Sequence, residues 1–444
     1  MALNDPRAPK TTTTLVIGGG LAGLATATYL ARGGRAVTVL ERASSVGGRA
    51  LTDAPHGYAL NRGVHALYAG GPASEVLREL GVRYTSGTPT RIFAMDARGI
   101  HRFPGTPLGL LRTTLLDVAD RRELVRVFLR LPSLRLTDLA HQSCADWIAR
   151  AARRARVRQL LSAVARVYTY SAALDLVSAD VFLGRLLQTA RHPVHYVDGG
   201  WQTLVDGLRE AALAAGVRPV TSAGVSSVEV HGGSVRRVRL QGGAELECDE
   251  LVLAVAPSDA LRLIGAPLEP VLADRLPARV ACLDLALEQL PRPEHPVVFD
   301  LDRPLFVTAQ SEFARLAPGD GAVVHAVKLL DPRRTSDPHQ DLVDLEGLMD
   351  RVQPGWRRAL VERRFLPRML AAGVVPLAGH GGLAGRAEYR LEAIANLYFA
   401  GDWVGPRGFL ADASLDSARA VARLILQAQP ARAGARSPVA AAAA

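Results

Sequence analysis

The sequence predicts an α/β fold in which a parallel-sheet, dinucleotide-binding domain is interleaved with a mixed α+β domain. Three observations predict it. Residues 14–17 read as a short buried strand, 21–32 as an Ala-rich helix closed by Gly33-Gly34, and 36–40 as a second buried strand. Gly18, Gly20 and Gly23 fall between that first strand and helix, at the spacing of a phosphate-binding turn. A β-rich stretch at 225–255 and an apolar run at 397–400 then supply further strands far along the chain.

The elements between follow from the same patterns. Residues 72–190 read as mostly helical, punctuated by Pro104, Pro107 and Pro132, and 204–215 as another helix. Strands are predicted at 225–230, 234–240, 246 and 251–255, with Gly232-Gly233 and Gly242-Gly243 as hairpin turns. Residues 263–384 mix strands (281–287, 322–329) with a helix at 341–352, and 414–427 form a closing helix. The Ala/Arg/Pro-rich tail, 429–444, is predicted to be disordered. No internal repeat is visible. The expected division is a discontinuous nucleotide domain at 11–62, 196–262 and 385–428, with a substrate domain at 63–195 and 263–384.

Length and composition fit a soluble globular protein of two domains: 444 residues, 48% hydrophobic and 22% charged. The formal charge of +10 comes from arginine, since Lys10 and Lys328 are the only lysines. The arginines are spread along the chain, and the densest group, Arg150 to Arg158, reads as a solvated helical face rather than a nucleic-acid patch. Cys144, Cys248 and Cys282 are too far apart for a disulfide framework or a metal-ligand motif. The polar start, 1–14, and the lack of any apolar run of about 18 residues point to a cytoplasmic protein, with room for a peripheral membrane contact.

Gly18 permits the tight turn, Gly20 lets the backbone approach a pyrophosphate, and Gly23 lets helix and strand pack closely. Leu21 and Ala22 open the helix, whose N-terminal N–H groups favour phosphate. Glu41, followed by Arg42, ends the second strand, where a carboxylate suits the hydroxyls of an adenosine ribose. Gly48 and Arg49 come next, and the guanidinium offers a cation and a donor fork to phosphates.

This run, from the glycine turn through Gly47-Gly48-Arg49, resembles the amine oxidase, phytoene desaturase and protoporphyrinogen oxidase superfamily of flavoproteins. Three later segments carry the same resemblance. Residues 58–65, including Gly63, Val64 and His65, resemble the segment leading from FAD phosphates to the isoalloxazine ring. Residues 196–201 with the strand near 225 are similar to the element whose valine backbone receives the adenine, here Val225 or Val228. The run 397–403, with Gly401 and Asp402, and the helix carrying Ala411, Ala413 and Ser414 look like the C-terminal flavin motif. The resemblance implies FAD, held without a covalent link, because no cysteine follows Cys282.

Departures from that pattern bear on the substrate. Amine oxidases often carry a lysine on a strand near flavin N5, and Ala281 stands at the corresponding place. Leu410 stands where the second tyrosine of an amine cage is sought, and 416–418 read Asp-Ser-Ala. The resemblance therefore implies the desaturase-like branch: an FAD-dependent oxidoreductase that dehydrogenates a small hydrophobic substrate and passes electrons to oxygen or a quinone. A flavin-dependent isomerase or mutase and a non-catalytic flavoprotein scaffold are the alternatives. His65, Tyr168 and Tyr170 are the catalytic candidates, and His192 and His195 are further candidates for a pocket wall. Trp201 and Trp403 sit inside the flavin motifs, where cofactor packing and plain core packing are both open. No metal site is expected.

Overall fold

A computed structural model describes residues 13–428. The expected tail at 429–444 and most of the polar start lie outside the described residues.

Two sheets organise the chain. The first is five-stranded and all-parallel, in the order Arg218–Val220, Ala36–Leu40, Thr13–Ile17, Glu250–Leu253, Leu397–Phe399. Its strands are nearly continuous apolar runs because both faces are covered. The helices Leu21–Arg32 and Ala411–Gln427 pack together against it, sharing a core with Val16, Val39 and Val252. The predicted βαβ unit is present, with its helix and second strand at the expected bounds.

The second sheet has seven strands: Leu360–Ala372, Ala278–Leu287, Ala322–Leu329, Leu305–Ala309, Val297–Asp300, Ile92–Asp96 and Gly99–Arg102. Its neighbours are antiparallel except Val297–Asp300 with Ile92–Asp96. The helix Pro338–Val352 covers one face through Leu345, Leu348 and Met349, beside Ala281 and Leu283. The opposite face carries Val280 and Cys282 against a helical layer that includes Ala155–Thr169 and Ala179–Arg191.

The structure adds strands that the sequence reading did not contain. Residues 72–190 are mostly helical, as expected, but 92–102 form a hairpin that joins the second sheet. Its pairing to Val297–Asp300 spans about two hundred residues, which no local pattern announces. The strands Val297–Asp300, Leu305–Ala309 and Leu360–Ala372 were also not foreseen. The last is a half-buried edge strand containing Pro367 and several arginines, a composition tolerated only at an edge. Among the described residues no helix is long and apolar enough to cross a membrane.

Candidate cofactor cleft

A cleft of about 1020 Å³ runs from the turn at Gly18 to the start of the last helix at Ala411. It is as large as the biggest ordinary small-molecule sites.

At one end the backbone makes the site. Gly18 has φ of +104°, and a Cβ there would lie 2.4 Å from the Ala254 carbonyl oxygen. A Cβ on Gly23 would lie 1.9 Å from the Gly18 carbonyl oxygen, so helix and strand touch only because it is absent. At Gly20 a Cβ would meet nothing within 4 Å, since this position opens onto the cleft beside Leu21 and Ala22. The helix Leu21–Arg32 has no side-chain cap, which leaves its first N–H groups available to an anion. Glu41 is buried; its carboxylate accepts from Gly19 N at 2.7 Å and from Ala43 N at 2.9 Å. Arg42 and Val225 line the same end, whereas Val228 does not.

Midway, Gly48 and Arg49 face Gly401 and Asp402. Arg49 donates to Asp402 at 2.8 Å and to the Ala371 carbonyl at 3.3 Å, and Gly373 N donates to the same carboxylate at 3.0 Å. Burial opposes the charge on Asp402, but Arg49 and the Gly373 N–H overcome it and hold the carboxyl below its ordinary range. Arg49 still presents 45% of its side chain to the cleft, so it can pair with Asp402 and meet a phosphate. The motif read from the sequence continues into the fold, since Ser417 Oγ accepts from Gly401 N at 2.9 Å.

The far end is apolar and aromatic. Val64, His65, Tyr170, Trp201, Leu366, Met369 and Leu410 line it, with Ala411 and Ser414 at the uncapped start of the last helix. The His65 ring lies 4.8 Å from that of Trp201, its Nδ1 is 2.9 Å from the Gly63 carbonyl, and Gln310 donates to its own carbonyl. Burial, with help from His325 and Arg49, pushes its imidazole down to about 4. Tyr170 ends its helix in the left-handed conformation, φ 53°, which turns the ring toward the cleft; burial pushes its phenol up. Leu410 adopts φ 56° and ψ −126°, unusual for a branched residue. The buried pair Arg185–Asp412, at 2.7 Å, braces that turn, and Arg185 also donates to the Phe409 carbonyl.

The remaining expected residues lie elsewhere. Tyr168 does not line the cleft, and its hydroxyl is 3.1 Å from that of Thr189. His195 bonds Ser86, His192 packs against Gly70, and neither reaches the cleft. Gly23, Gly63 and Ala413 support the lining without being part of it. Trp403 is a core residue, its Nε1 donating to the Val255 carbonyl, whereas Trp201 is a cleft residue. Ala281 faces the helix Pro338–Val352, the side away from the cleft, so its comparison with a flavin-facing lysine does not hold. The one lysine among the described residues, Lys328, pairs with Asp341 and Asp344 of that helix.

Sequence spacing gave no sign of a network just below the cleft. Asp284 and His325 are fully buried, with Oδ1 and Nδ1 2.6 Å apart, and Cys282 donates to the same oxygen. Arg364 bonds the other oxygen at 2.8 Å and reaches Asp53 at the cleft wall. Cys282, Asp284 and His325 are close enough to share an ion, but the Arg364 guanidinium already balances the carboxylate.

The cleft fits a dinucleotide: an uncapped helix start, an open glycine, a buried carboxylate and an exposed cation follow one another along it. Asp402 Oδ1 and Trp201 Nε1 are buried on its walls without a hydrogen-bond partner. Comparison with known proteins agrees. The profile of the family described as flavin-containing amine oxidoreductase matches residues 21–282. A Mycobacterium tuberculosis protein assigned as a flavin-containing monoamine oxidase (AofH) is 28% identical over 294 residues, 61% of this chain. The chain spans 62% of that relative's length. An Exiguobacterium protein assigned as a protoporphyrinogen oxidase has a TM-score of 0.69 at 19% identity, covering 95% of this chain and all of that one. A putrescine oxidase with bound putrescine has a TM-score of 0.72 at 16% identity, covering 94% and 99%. At such identities the two structures show the fold, and the profile shows more: the chain belongs to the flavin-containing amine oxidoreductase family, and its cofactor is FAD.

Proposed function

We propose that the chain is an FAD-dependent oxidoreductase that dehydrogenates a small, neutral, hydrophobic substrate by hydride transfer to flavin N5. One observation carries the substrate class: every carboxylate on the cleft wall is already bonded, through at least one oxygen, to an arginine or to backbone N–H groups. Glu41 is held by backbone N–H groups, Asp53 by Arg364, Asp259 by Arg42 and Asp402 by Arg49. No lysine lines the cleft among the described residues. A cationic amine would find no free anion there, whereas an apolar group would find Leu366, Met369, Leu410 and aromatic rings.

Bound in the cleft, FAD supplies a two-electron acceptor. The chain's own residues position and exclude. Gly18 to Ala22, Glu41 and Arg49 hold the nucleotide half, with Arg42, Gly48, Val225, Gly401 and Asp402 beside it. Gly63 to His65, Ala411, Ala413 and Ser414 form or support the ring half. Trp201, Leu366 and Leu410 keep water from the reacting carbon. His65 is neutral at physiological pH; with Nδ1–H donating to Gly63, its Nε2 can accept a proton or orient a polar substituent. Tyr170 offers a hydroxyl on the same wall. Tyr168 is too well satisfied by Thr189 to share that role.

Among the described residues no cysteine lines the cleft, which supports a non-covalent cofactor. The absence of a cleft lysine among the described residues favours a quinone-type acceptor over oxygen. The division at 11–62, 196–262 and 385–428 against 63–195 and 263–384 is supported by the sheets. The five-stranded sheet draws every strand from the first set and the seven-stranded sheet every strand from the second. An apolar substrate partitions into bilayers, so a peripheral membrane contact belongs to the same reading.

Anaerobic mixing with neutral alicyclic or polyene compounds, followed by product mass, tests it. Flavin bleaching with a product lighter by two hydrogens is expected. Bleaching by primary amines alone would restore an amine substrate. Conversion without change of mass would favour an isomerase, and a compound that binds without bleaching a scaffold.

A further inference from the structure

We propose that the face formed by the helices Pro107–Arg112 and Val118–Arg130 docks on an anionic lipid surface. It rests on the apolar-substrate reading for its purpose, as a source of that substrate, but its binding is measured with no substrate present.

Six of the twelve exposed large hydrophobic side chains among the described residues fall within 108–129. Leu111, Val118 and Leu129 are 71%, 63% and 76% exposed. On the longer helix, Val118, Val125 and Leu129 recur at i, i+7 and i+11 and therefore form one stripe. Arg122 and Arg126 recur at i+4 and i+8 alongside it, and Phe128 continues the apolar area.

The acids of this helix face the other way. Asp120 and Glu123 are buried: Asp120 is paired with Arg154, and Glu123 accepts from the backbone N–H groups of Arg153 and Arg154 at 3.0 and 2.8 Å. Asp117, at the N-cap, is taken by the same Arg154 at 2.6 Å. Arg112, Arg122, Arg126 and Arg130 form no ion pair among the described residues. The outward face of the helix is thus apolar and cationic: its own two carboxylates are buried, and the exposed Asp117 at its start is paired with Arg154, the reverse of a helix built to face water.

That pattern complements an anionic bilayer. The apolar stripe enters the headgroup boundary while the arginines keep their charges among lipid phosphates. A second copy of the chain fits less well, because a two-fold contact would set these arginines against themselves. Nucleic acid would satisfy the charges and leave the apolar stripe in water.

The test is co-sedimentation of the FAD-loaded full chain with vesicles, comparing phosphatidylcholine containing phosphatidylglycerol with phosphatidylcholine alone. Binding to the anionic vesicles, weakened by salt, is expected. The double variant Arg122→Glu, Arg126→Glu should weaken it at least about 25-fold, about fivefold for each cation lost. Leu129→Asp should weaken it while leaving flavin content and solution turnover unchanged, because the residue is exposed and remote from the cleft. Wild-type protein left in the supernatant with both vesicles would overturn the proposal, as would variants that sediment like wild type. Salt-sensitive binding to duplex DNA that displaces the vesicles would replace it with a nucleic-acid surface. Concentration-dependent self-association abolished by Leu129→Asp, without vesicle binding, would replace it with an interface between copies.

Discussion

The two ends of the cleft are built differently. The nucleotide end is made by backbone: three glycines, one uncapped helix start and a carboxylate braced by N–H groups, nearly all within residues 18–49. The ring end is made by side chains gathered from the whole length of the chain: His65, Tyr170, Trp201, Met369 and Leu410. On the reading proposed above, the first end meets a diphosphate with backbone groups, which do not depend on side-chain identity. On the same reading the second end selects the substrate, and its wall is set by individual side chains.

The sharpest way to break this contrast is at the glycines. Gly23→Ala places a methyl group 1.9 Å from a backbone oxygen, which no rotamer relieves. It should lower unfolding stability by roughly 3 kcal/mol and abolish FAD retention. Gly20→Ala meets nothing within 4 Å in the chain itself, so stability of the FAD-free protein should be unchanged while FAD affinity falls. Urea unfolding of FAD-free protein and flavin titration separate the two effects. If Gly20→Ala proved the more destabilising, the cleft would not open at that turn.

Charge is the next discriminator. Arg49→Ala removes the partner of buried Asp402 and, on this reading, a phosphate contact. Glu41→Ala removes the ribose-side carboxylate. Each should weaken FAD binding about 10- to 150-fold, the worth of one charge-assisted hydrogen bond of roughly 1.5–3 kcal/mol. Released flavin should be intact FAD. Wild-type affinity in both variants would place the cofactor elsewhere.

The same contrast explains what the sequence could reveal. The glycine turn, Glu41 and Arg49 were legible because local spacing encodes them, and the helix Leu21–Arg32 because its apolar run sits between two glycine breaks. Asp402 was legible through a motif. The edge strand Leu360–Ala372 was not, because its arginines and Pro367 read as loop and its pairing with Ala278–Leu287 is purely tertiary. Nor was the Asp284–His325–Arg364 network, whose members lie 41 and 80 residues apart. The facing of Ala281 failed for another reason. A strand buried on both faces shows no alternation, so its sequence does not say which side meets the cleft.

pH probes the ring end. The His65 imidazole is held down at about 4, chiefly by burial, whereas in the unfolded chain it takes its ordinary value of about 6.5. Between those values the unfolded chain binds the extra proton, so stability falls as pH drops through that window and levels off below it. The shift corresponds to up to about 3 kcal/mol. His65→Gln cannot titrate, so its stability should fall less than that of wild type between neutral pH and about pH 4, by urea unfolding. Equal losses would show that His65 takes its proton without penalty and is solvated.

The smallest expected effect separates two neighbouring tyrosines. Tyr168 and Tyr170 belong to one short run, yet only Tyr170 turns into the cleft, because the helix ends there in a left-handed residue. Tyr168→Phe removes a hydroxyl that meets Thr189, and Thr189 keeps a bond to the Arg185 carbonyl at 2.9 Å. The loss should be about 0.5–1 kcal/mol of stability, with FAD affinity and flavin reduction unchanged. Tyr170→Phe should leave stability closer to wild type but alter the flavin absorption envelope and the rate of reduction, since the residue lines the aromatic end of the cleft. Thermal melts and anaerobic stopped-flow on the pair measure both quantities. The reverse pattern, with Tyr168→Phe slowing reduction and Tyr170→Phe inert, would mean that the cleft reaches past Thr189 and that its reacting end lies one helical turn deeper.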